Sequence, residues 1–434
     1  MNQADGQTGG TALRGALAPV AALLVSVALL LMGNGLQGTL LPIRGVAESF
    51  SNLQIGLQGT FYFLGFTVGC ISGPYLLSRG GHIRTFMAMA SLTSVTALLH
   101  AMMPEPYLWA ALRGITGLCF AVLYIVIESW LNEKSTNANR GTVFSVYTIV
   151  NLTVVTIGQL MVGMASPTSF LLFAVTSILI SVSALPLAFT TSTSPKPAAP
   201  IRANLKRLYR ISPVGFVGCA AVGFANGAFW ALAPLFAQAN GLDPSGVGLF
   251  MSAIVLGGAL AQWPFGALSD RVDRRYVVIA AAALACLAGL TLTFLAGGNL
   301  WALLGIGALL GAGAMPVYAL SVAHANDHAR PDQMVEVSSG LLLVFGAGAA
   351  MGPVLASLLQ STLPFPALFT YTALIHGALV GFVLWRLLRR GRRRSRRRRR
   401  RSWRYWRWLR WLQRQSRLRF GFVGERQNLL VGLF

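Results

Sequence analysis

Twelve apolar stretches, each about as long as a bilayer is thick, leave few folds open to this chain. Crossing ~30 Å of hydrocarbon takes about 20 apolar residues in an α-helix. Stretches of that kind lie at about 15–42, 55–77, 84–103, 107–131, 142–164, 168–190, 214–239, 247–269, 276–297, 299–323, 335–360 and 365–388. Lipid offers the backbone no hydrogen bonds, so such segments cross as helices, and the sequence predicts an all-α polytopic membrane protein. Only 11% of residues are charged, against about 25% in soluble domains, which excludes a string of soluble domains. The first stretch has no basic cluster before it beyond Arg14. It is too long for the apolar region of a signal peptide and is expected to stay as a membrane helix.

Basic residues in the connections set the expected orientation. With the N-terminus inside, one side carries Arg14, Arg79, Arg84, Lys134, Arg140, Lys196, Arg202, Lys206, Arg207, Arg210, Arg271, Arg274, Arg275 and Arg330, and the other carries Arg44 alone. Cytoplasmic loops hold the excess of Lys and Arg, so both termini are expected in the cytoplasm. The net charge of +23 is a separate matter, because 19 of the 35 basic residues and one of the 12 acids lie from Arg386 onward. Cys70, Cys119, Cys219 and Cys286 all fall in apolar stretches without paired or metal-type spacing, and are read as small packing residues.

The chain repeats itself. Asn34-Gly35 with Pro42 recurs as Asn226-Gly227 with Pro234, and Gly56, Gly65, Arg79 and Trp109 recur as Gly248, Gly257, Arg271 and Trp301, all at an offset of 192. Beyond Trp109 the offset becomes 194: Tyr124 with Tyr318, Asn132-Glu133 with Asn326-Asp327, Ser145 with Ser339, Gly158 with Gly352. A constant register over that length indicates internal duplication, and two parallel halves of six helices are one of the known transporter plans. The expected organisation is a cytoplasmic N-terminus 1–14, a first bundle 15–190, a cytoplasmic linker 191–213, a second bundle 214–388 and an Arg/Trp-rich cytoplasmic tail 389–434.

A charged turn stands out from this apolar background. Gly266-Ala-Leu-Ser-Asp-Arg-Val-Asp-Arg-Arg275 separates two apolar stretches, and Pro74-Tyr-Leu-Leu-Ser-Arg-Gly-Gly-His-Ile83 occupies the equivalent place. Asp270 is expected to accept hydrogen bonds from a helix N-terminus, where free N–H groups favour negative charge. Arg271, Arg274 and Arg275 are expected to pair with acids at adjacent helix ends, Asp327 among them, as a latch with Gly266 and Ser269. In the first copy Ser78 replaces the aspartate while Arg79 and Arg84 remain, giving a weaker latch. Plain basic anchoring at the inner surface is the competing reading.

Inside the spans, ionised groups cost roughly 2.5–3.5 kcal/mol on insertion scales and usually face the bundle interior. Arg113 and Glu128 are the charges of that kind weighed most. Fifteen residues apart on one helix, they are separated by about 22 Å and cannot pair. Arg113 could instead bond helix carbonyls, and Glu128 could be a protonatable site or a fixed ion-pair partner. Asn34, Gln37, Asn151, Gln159 and Asn226 are candidate pathway residues, since an unpaired amide is costly in hydrocarbon; helix–helix bonding would account for each singly.

The Gly266–Arg275 order resembles the signature loop between helices 8 and 9 of the major facilitator superfamily, with Asp273 where that family usually has glycine. Arg113 with Gly117 is similar to the family's helix-4 arginine motif, and Gly352-Pro353 to its glycine-rich helix 11. Asn34-Gly35, Arg113, Glu128-Ser-Trp130 and Asn139-Arg-Gly141 together resemble the uncharacterised bacterial YcaD-like branch. The resemblance implies a secondary transporter of a bacterial inner membrane working by alternating access, without a cofactor. It also implies that Arg113 serves proton coupling or contact with a substrate anion.

His324-Ala-Asn-Asp-His328 is the one enzyme-like arrangement, two histidines at i, i+4 with an acid between them. No third ligand cluster accompanies it, and no zincin, nucleophile-elbow or phosphate-loop pattern occurs, so an enzyme is not expected. Residues 392–401 hold nine arginines and one serine, followed by Trp403, Trp406, Trp408 and Trp411. Such a stretch attracts anionic lipid. The tryptophans share no helical face, nucleic-acid binding is not expected, and the tail is read as an extension outside the transport machinery. The expected protein is a monomer moving a small solute with protons as the coupling ion, most simply by efflux of a small amphipathic compound. The alternative is proton-linked import of a small anionic metabolite.

Overall fold

The computed structural model describes residues 20–135, 140–189, 204–295, 299–330, 333–362 and 367–389. The expectations for residues 1–19, most of the linker and the tail from 390 onward fall outside these residues. The helices are α1 (Ala21–Ala47), α2 (Asn52–Met102), α3 (Pro106–Lys134), α4 (Arg140–Leu160), α5 (Phe170–Val182), α6 (Leu185–Ala188), α7 (Leu205–Ile211), α8 (Pro213–Ala239), α9 (Pro244–Arg271), α10 (Arg274–Phe294), α11 (Leu300–Ala314), α12 (Pro316–Asn326) and α13 (Met334–Thr362). Helix α14 (Ala367–Arg389) follows. The chain divides into compact units 1–380 and 381–434. In the described part of the second, Arg389 stacks over the Trp385 ring at 4.3 Å.

Eleven helices among the described residues are long and apolar enough to cross a membrane, against twelve predicted spans. The difference lies in α2. Its 51 residues would reach about 77 Å at 1.5 Å per residue, more than twice the hydrocarbon thickness. Gly81 breaks it, with φ 68° and ψ 169°, a backbone region that side chains with a Cβ avoid. Predicted spans 2 and 3 are thus two passes joined at one residue instead of by a loop, and the passes number twelve.

Helix ends follow their capping residues. Ser51 and Gln54 form a reciprocal capping box at the start of α2. Glu105 accepts from Leu108 N with Pro106 in the first turn, and Asp243 accepts from Gly246 N with Pro244 next to it. Asn299 caps α11 through Trp301 N at 2.9 Å.

The duplication read from the sequence is built into the packing. A Cβ at Gly117 would overlap the carbonyl oxygen of Tyr62, and one at Gly311 that of Ile254. A Cβ at Gly35 would also come too close to the Val155 carbonyl oxygen, and one at Gly227 to that of Ala349. Both members of each contact are related by the same two offsets, 192 and 194. Small residues let helix backbones touch where hydrophobic burial gives no drive between helices. Substitution at these points would therefore force two helices apart.

Contacts between the halves follow the same rule. Gly56 of α2 crosses Pro353 and Ser357 of α13, while Gly248 of α9 crosses the Gln159 carbonyl of α4. Near these crossings, one core draws on both halves: Trp109, Leu36 and Phe173 with Phe229, Phe236, Phe250 and Phe369. Phe50 meets Trp109 edge-on at 5.1 Å, and Phe236 meets Phe369 at 4.5 Å. Two further cores each draw on one half, one spanning Val20 to Leu187 and one Leu208 to Val344. The halves are knitted together at the end carrying the α1–α2 turn.

Candidate functional site

A cavity of about 450 Å³ lies at mid-length of the spanning helices, within the usual range of small-molecule sites. It gathers Asn34 from α1, Tyr62 from α2, Arg113 and Tyr124 from α3, and Asn151 and Gln159 from α4. From the other half come Trp230, Ala231, Val255, Ala259, Met315 and Phe345, with Gln262 their only polar companion. The first half also contributes Phe63, Phe66, Leu152 and Val155, so its wall mixes polar and apolar side chains while the other wall is almost wholly apolar.

Among the described residues, Arg113 is the only charged one lining this cavity. Its guanidinium lies 4.2 Å from the centre of the Tyr62 ring, a cation–π geometry worth up to about 2 kcal/mol when desolvated. Asn34 lines the same cavity as the Tyr62 ring. One guanidinium nitrogen, Nη1, is buried without a hydrogen-bond partner. The arrangement fixes the plane of the arginine while leaving donor capacity unused. Asn151 lines the cavity together with Tyr124.

The other candidates are placed elsewhere. Glu128 is exposed and is not among the residues that line the cavity. Gln37 is fully buried, with neither amide atom partnered. Asn226, the repeat mate of Asn34, lines a separate small cleft with Phe229, Met315 and His376. The aromatic contribution of Phe66 and Phe345 was hard to single out in a chain with 24 phenylalanines. The repeat was the available signal, since Phe345 is the mate of Asn151.

The two charged turns differ. In the second, Arg274 holds Asp327 through Nε at 2.6 Å, Asp270 at 3.1 Å and the Ser269 hydroxyl at 2.8 Å. The capping carboxylate is Asp273, which accepts from Arg275 N at 3.0 Å, whereas Asp270 is largely exposed and meets Arg274. Hydrogen bonds from the Arg275 side chain hold the Asp273 carboxyl down at about 2. Gly266 faces open space and Arg271 is exposed. In the first turn, Ser78 donates to the Tyr75 carbonyl of its own helix at 2.8 Å, Arg79 lies over the Tyr75 ring and Arg84 is exposed. His82, the mate of Arg274, bonds Ser129 at 2.8 Å.

His324 and His328 stack at 4.5 Å. His324 shares a hydrogen bond with Ser212, the capping residue of α8, and His328 bonds the His324 carbonyl. The pair joins two helix ends. No metal-type group of His, Cys, Asp or Glu is found among the described residues.

The chain is 29% identical over 349 residues to the uncharacterised MFS-type transporter YcaD of Escherichia fergusonii, covering 79% of this chain and 89% of the relative. It is 28% identical over 362 residues to YcaD of Salmonella typhimurium, covering 82% and 92%. Among solved structures, the nucleoside transporter NupG superposes with a TM-score of 0.67 at 13% identity, over 86% of this chain and 97% of that one. A bacterial homolog of the human lysosomal transporter Spinster, inward-facing and unoccupied, gives 0.64 at 14% identity over 86% and 95%. At such identity these two share the fold alone. Relatives and fold alike are those of membrane transporters and not of enzymes. The family model of the Major Facilitator Superfamily matches residues 23–236 and again 215–433, one match for each half of the duplication, and the chain belongs to that superfamily.

Proposed function

We propose that this protein is a proton-coupled secondary transporter that exports a small amphipathic compound by alternating access between residues 15–190 and 214–388. The observation that carries the reading is the mid-length cavity, mostly apolar in its lining, with nearly all of its polar side chains on one half. An amphipathic solute satisfies both kinds of surface at once. In this reading the end knitted by the Gly56 and Gly248 crossings is the outer gate. The charged turns at 78–84 and 266–275 lie at the cytoplasmic face with both termini, in a bacterial inner membrane, and the conformation is inward-facing.

Glu128 is the proposed proton-coupling group. It is exposed and precedes Ser129, which bonds His82 beside the first charged turn, so a change in its charge falls at the cytoplasmic end of the bundle. The Arg274–Asp270–Asp327 cluster serves as the cytoplasmic latch. The working unit is a monomer, and anionic lipid is the expected neighbour of the basic tail.

Uptake of a compound panel into inside-out vesicles, with and without an uncoupler, tests the reading. Uncoupler-sensitive accumulation of an amphipathic compound is the expected result, lost in Glu128→Gln. Accumulation insensitive to the uncoupler would remove the proton from the mechanism. The partnerless nitrogen of Arg113 favours a second reading, import of a small anionic metabolite, which right-side-out vesicles would reveal.

A further inference from the structure

We infer that the cavity selects a monoanion with a flat apolar body, its anionic group on Arg113 and its body on Trp230, Met315 and Phe345. This rests on the transporter reading and names its substrate class. It is separate from the direction of transport.

Three features of the cavity lead there. First, its charge is unbalanced: among the described residues one guanidinium lines it and no Asp, Glu, Lys or His does. A cation would enter against that charge without a carboxylate to meet it, and a neutral solute would leave the arginine uncompensated in low dielectric. One negative charge balances it, and a second would itself lack a partner.

Second, Arg113 is held ready. Stacking on Tyr62 at 4.2 Å fixes the guanidinium plane. A planar donor fork with a partnerless nitrogen matches a carboxylate or another oxyanion, which accepts two parallel hydrogen bonds. An arginine serving only to tie helices together would spend its donors on backbone carbonyls.

Third, the opposite wall has no such group. At the repeat positions, Arg113 is replaced by Gly307, Tyr62 by Ile254 and Asn151 by Phe345. What that half offers is the Trp230 indole, the Met315 thioether and the Phe345 ring. Aromatic faces and a polarisable sulfur suit a flat conjugated body better than a hydroxyl-rich one such as a sugar.

The test uses the full-length protein in nanodiscs and three probes with one body: 2-naphthoate, neutral 2-naphthamide and cationic 2-naphthylmethylammonium. The expected result is binding of naphthoate at least 10-fold tighter than the amide, with the ammonium weakest. Arg113→Gln is expected to bring the carboxylate-to-amide ratio to within about 2-fold, and Arg113→Lys to keep part of it. Trp230→Ala is expected to weaken carboxylate and amide together, leaving their ratio in place. Equal binding of the three probes, no binding of naphthoate, or a ratio unchanged in a monodisperse Arg113→Gln protein would each overturn the inference. Counterflow of naphthoate in proteoliposomes separates this from the transport reading. Selective binding without flux removes transport and leaves the anion site, whereas flux without anion preference does the reverse.

Discussion

The two halves of this molecule share a scaffold and differ in chemistry. Backbone contacts at Gly117 and Gly311, and at Gly35 and Gly227, are copies of one another. The side chains that face the cavity are not: Asn34, Arg113, Asn151 and Gln159 line one wall, and Trp230, Met315 and Phe345 the other. The charged turns diverge in the same way, with a three-partner Arg274 in one half and a histidine at its equivalent in the other. Helix packing tolerates few alternatives at a backbone crossing, so duplication survives there. Positions facing a cavity carry no such restriction.

The comparison breaks first at the scaffold if it is wrong. Gly117→Leu and Gly311→Leu each drive a side chain into a carbonyl of the facing helix. Both are expected to lose nearly all folded protein, to similar extents, in detergent-solubilised yield and gel filtration. A large difference between the two would mean that the halves do not share their packing.

Next in size is the polar wall. Arg113→Gln is expected to lower transport of an anionic probe by more than 10-fold, the loss of a charge-assisted hydrogen bond worth roughly 1.5–3 kcal/mol. Phe345→Leu, on the apolar wall, is expected to change it only a few-fold, because much of the buried area remains. Comparable losses in the vesicle assay would mean that polarity is not divided between the halves.

The latches sharpen the contrast further. Asp270→Asn removes one of the two carboxylates on Arg274, and Arg274→Ala removes the hub. Transport is expected to fall several-fold for Arg274→Ala and less for Asp270→Asn, with insertion into the membrane intact in both. Ser78→Ala loses a hydrogen bond within its own helix and is expected to change little. Equal effects at Ser78 and Asp270 would deny the two turns different roles.

Much of this was legible in the sequence, and the reasons differ by feature. Apolar length alone gave the spans, except that a single glycine at 81 did the work assigned to a loop. The repeat was visible because glycine at a helix crossing has no substitute, so Gly56 and Gly248 kept register. Asn34, Arg113 and Asn151 stood out because polar groups are expensive in hydrocarbon. What composition could not convey was which faces meet: Asn226 matches Asn34 in register yet faces a different cleft, and Glu128 lies outside the cavity. Those outcomes depend on helix rotation, which apolar stretches specify weakly when every face is greasy.

The smallest expected effect concerns Asp273, where this chain departs from the glycine usual in its family. The first half turns through Gly81 with positive φ, while the second uses Asp273 at φ −57° to cap α10. Asp273→Ala should cost about 1 kcal/mol, as for other lost caps, read as a modest fall in thermal stability in detergent. Asp273→Gly should cost less, since glycine is tolerated at that position. The pH dependence has a definite sign. A carboxyl held at about 2, below its ordinary 3.8, stabilises the fold fully above about pH 4 and loses that contribution as pH falls toward 2. The difference between wild type and Asp273→Ala should therefore be flat from pH 8 to 5 and shrink only in acid. A difference that varied around neutrality would show that another group, such as the His324–His328 pair nearby, controls this turn.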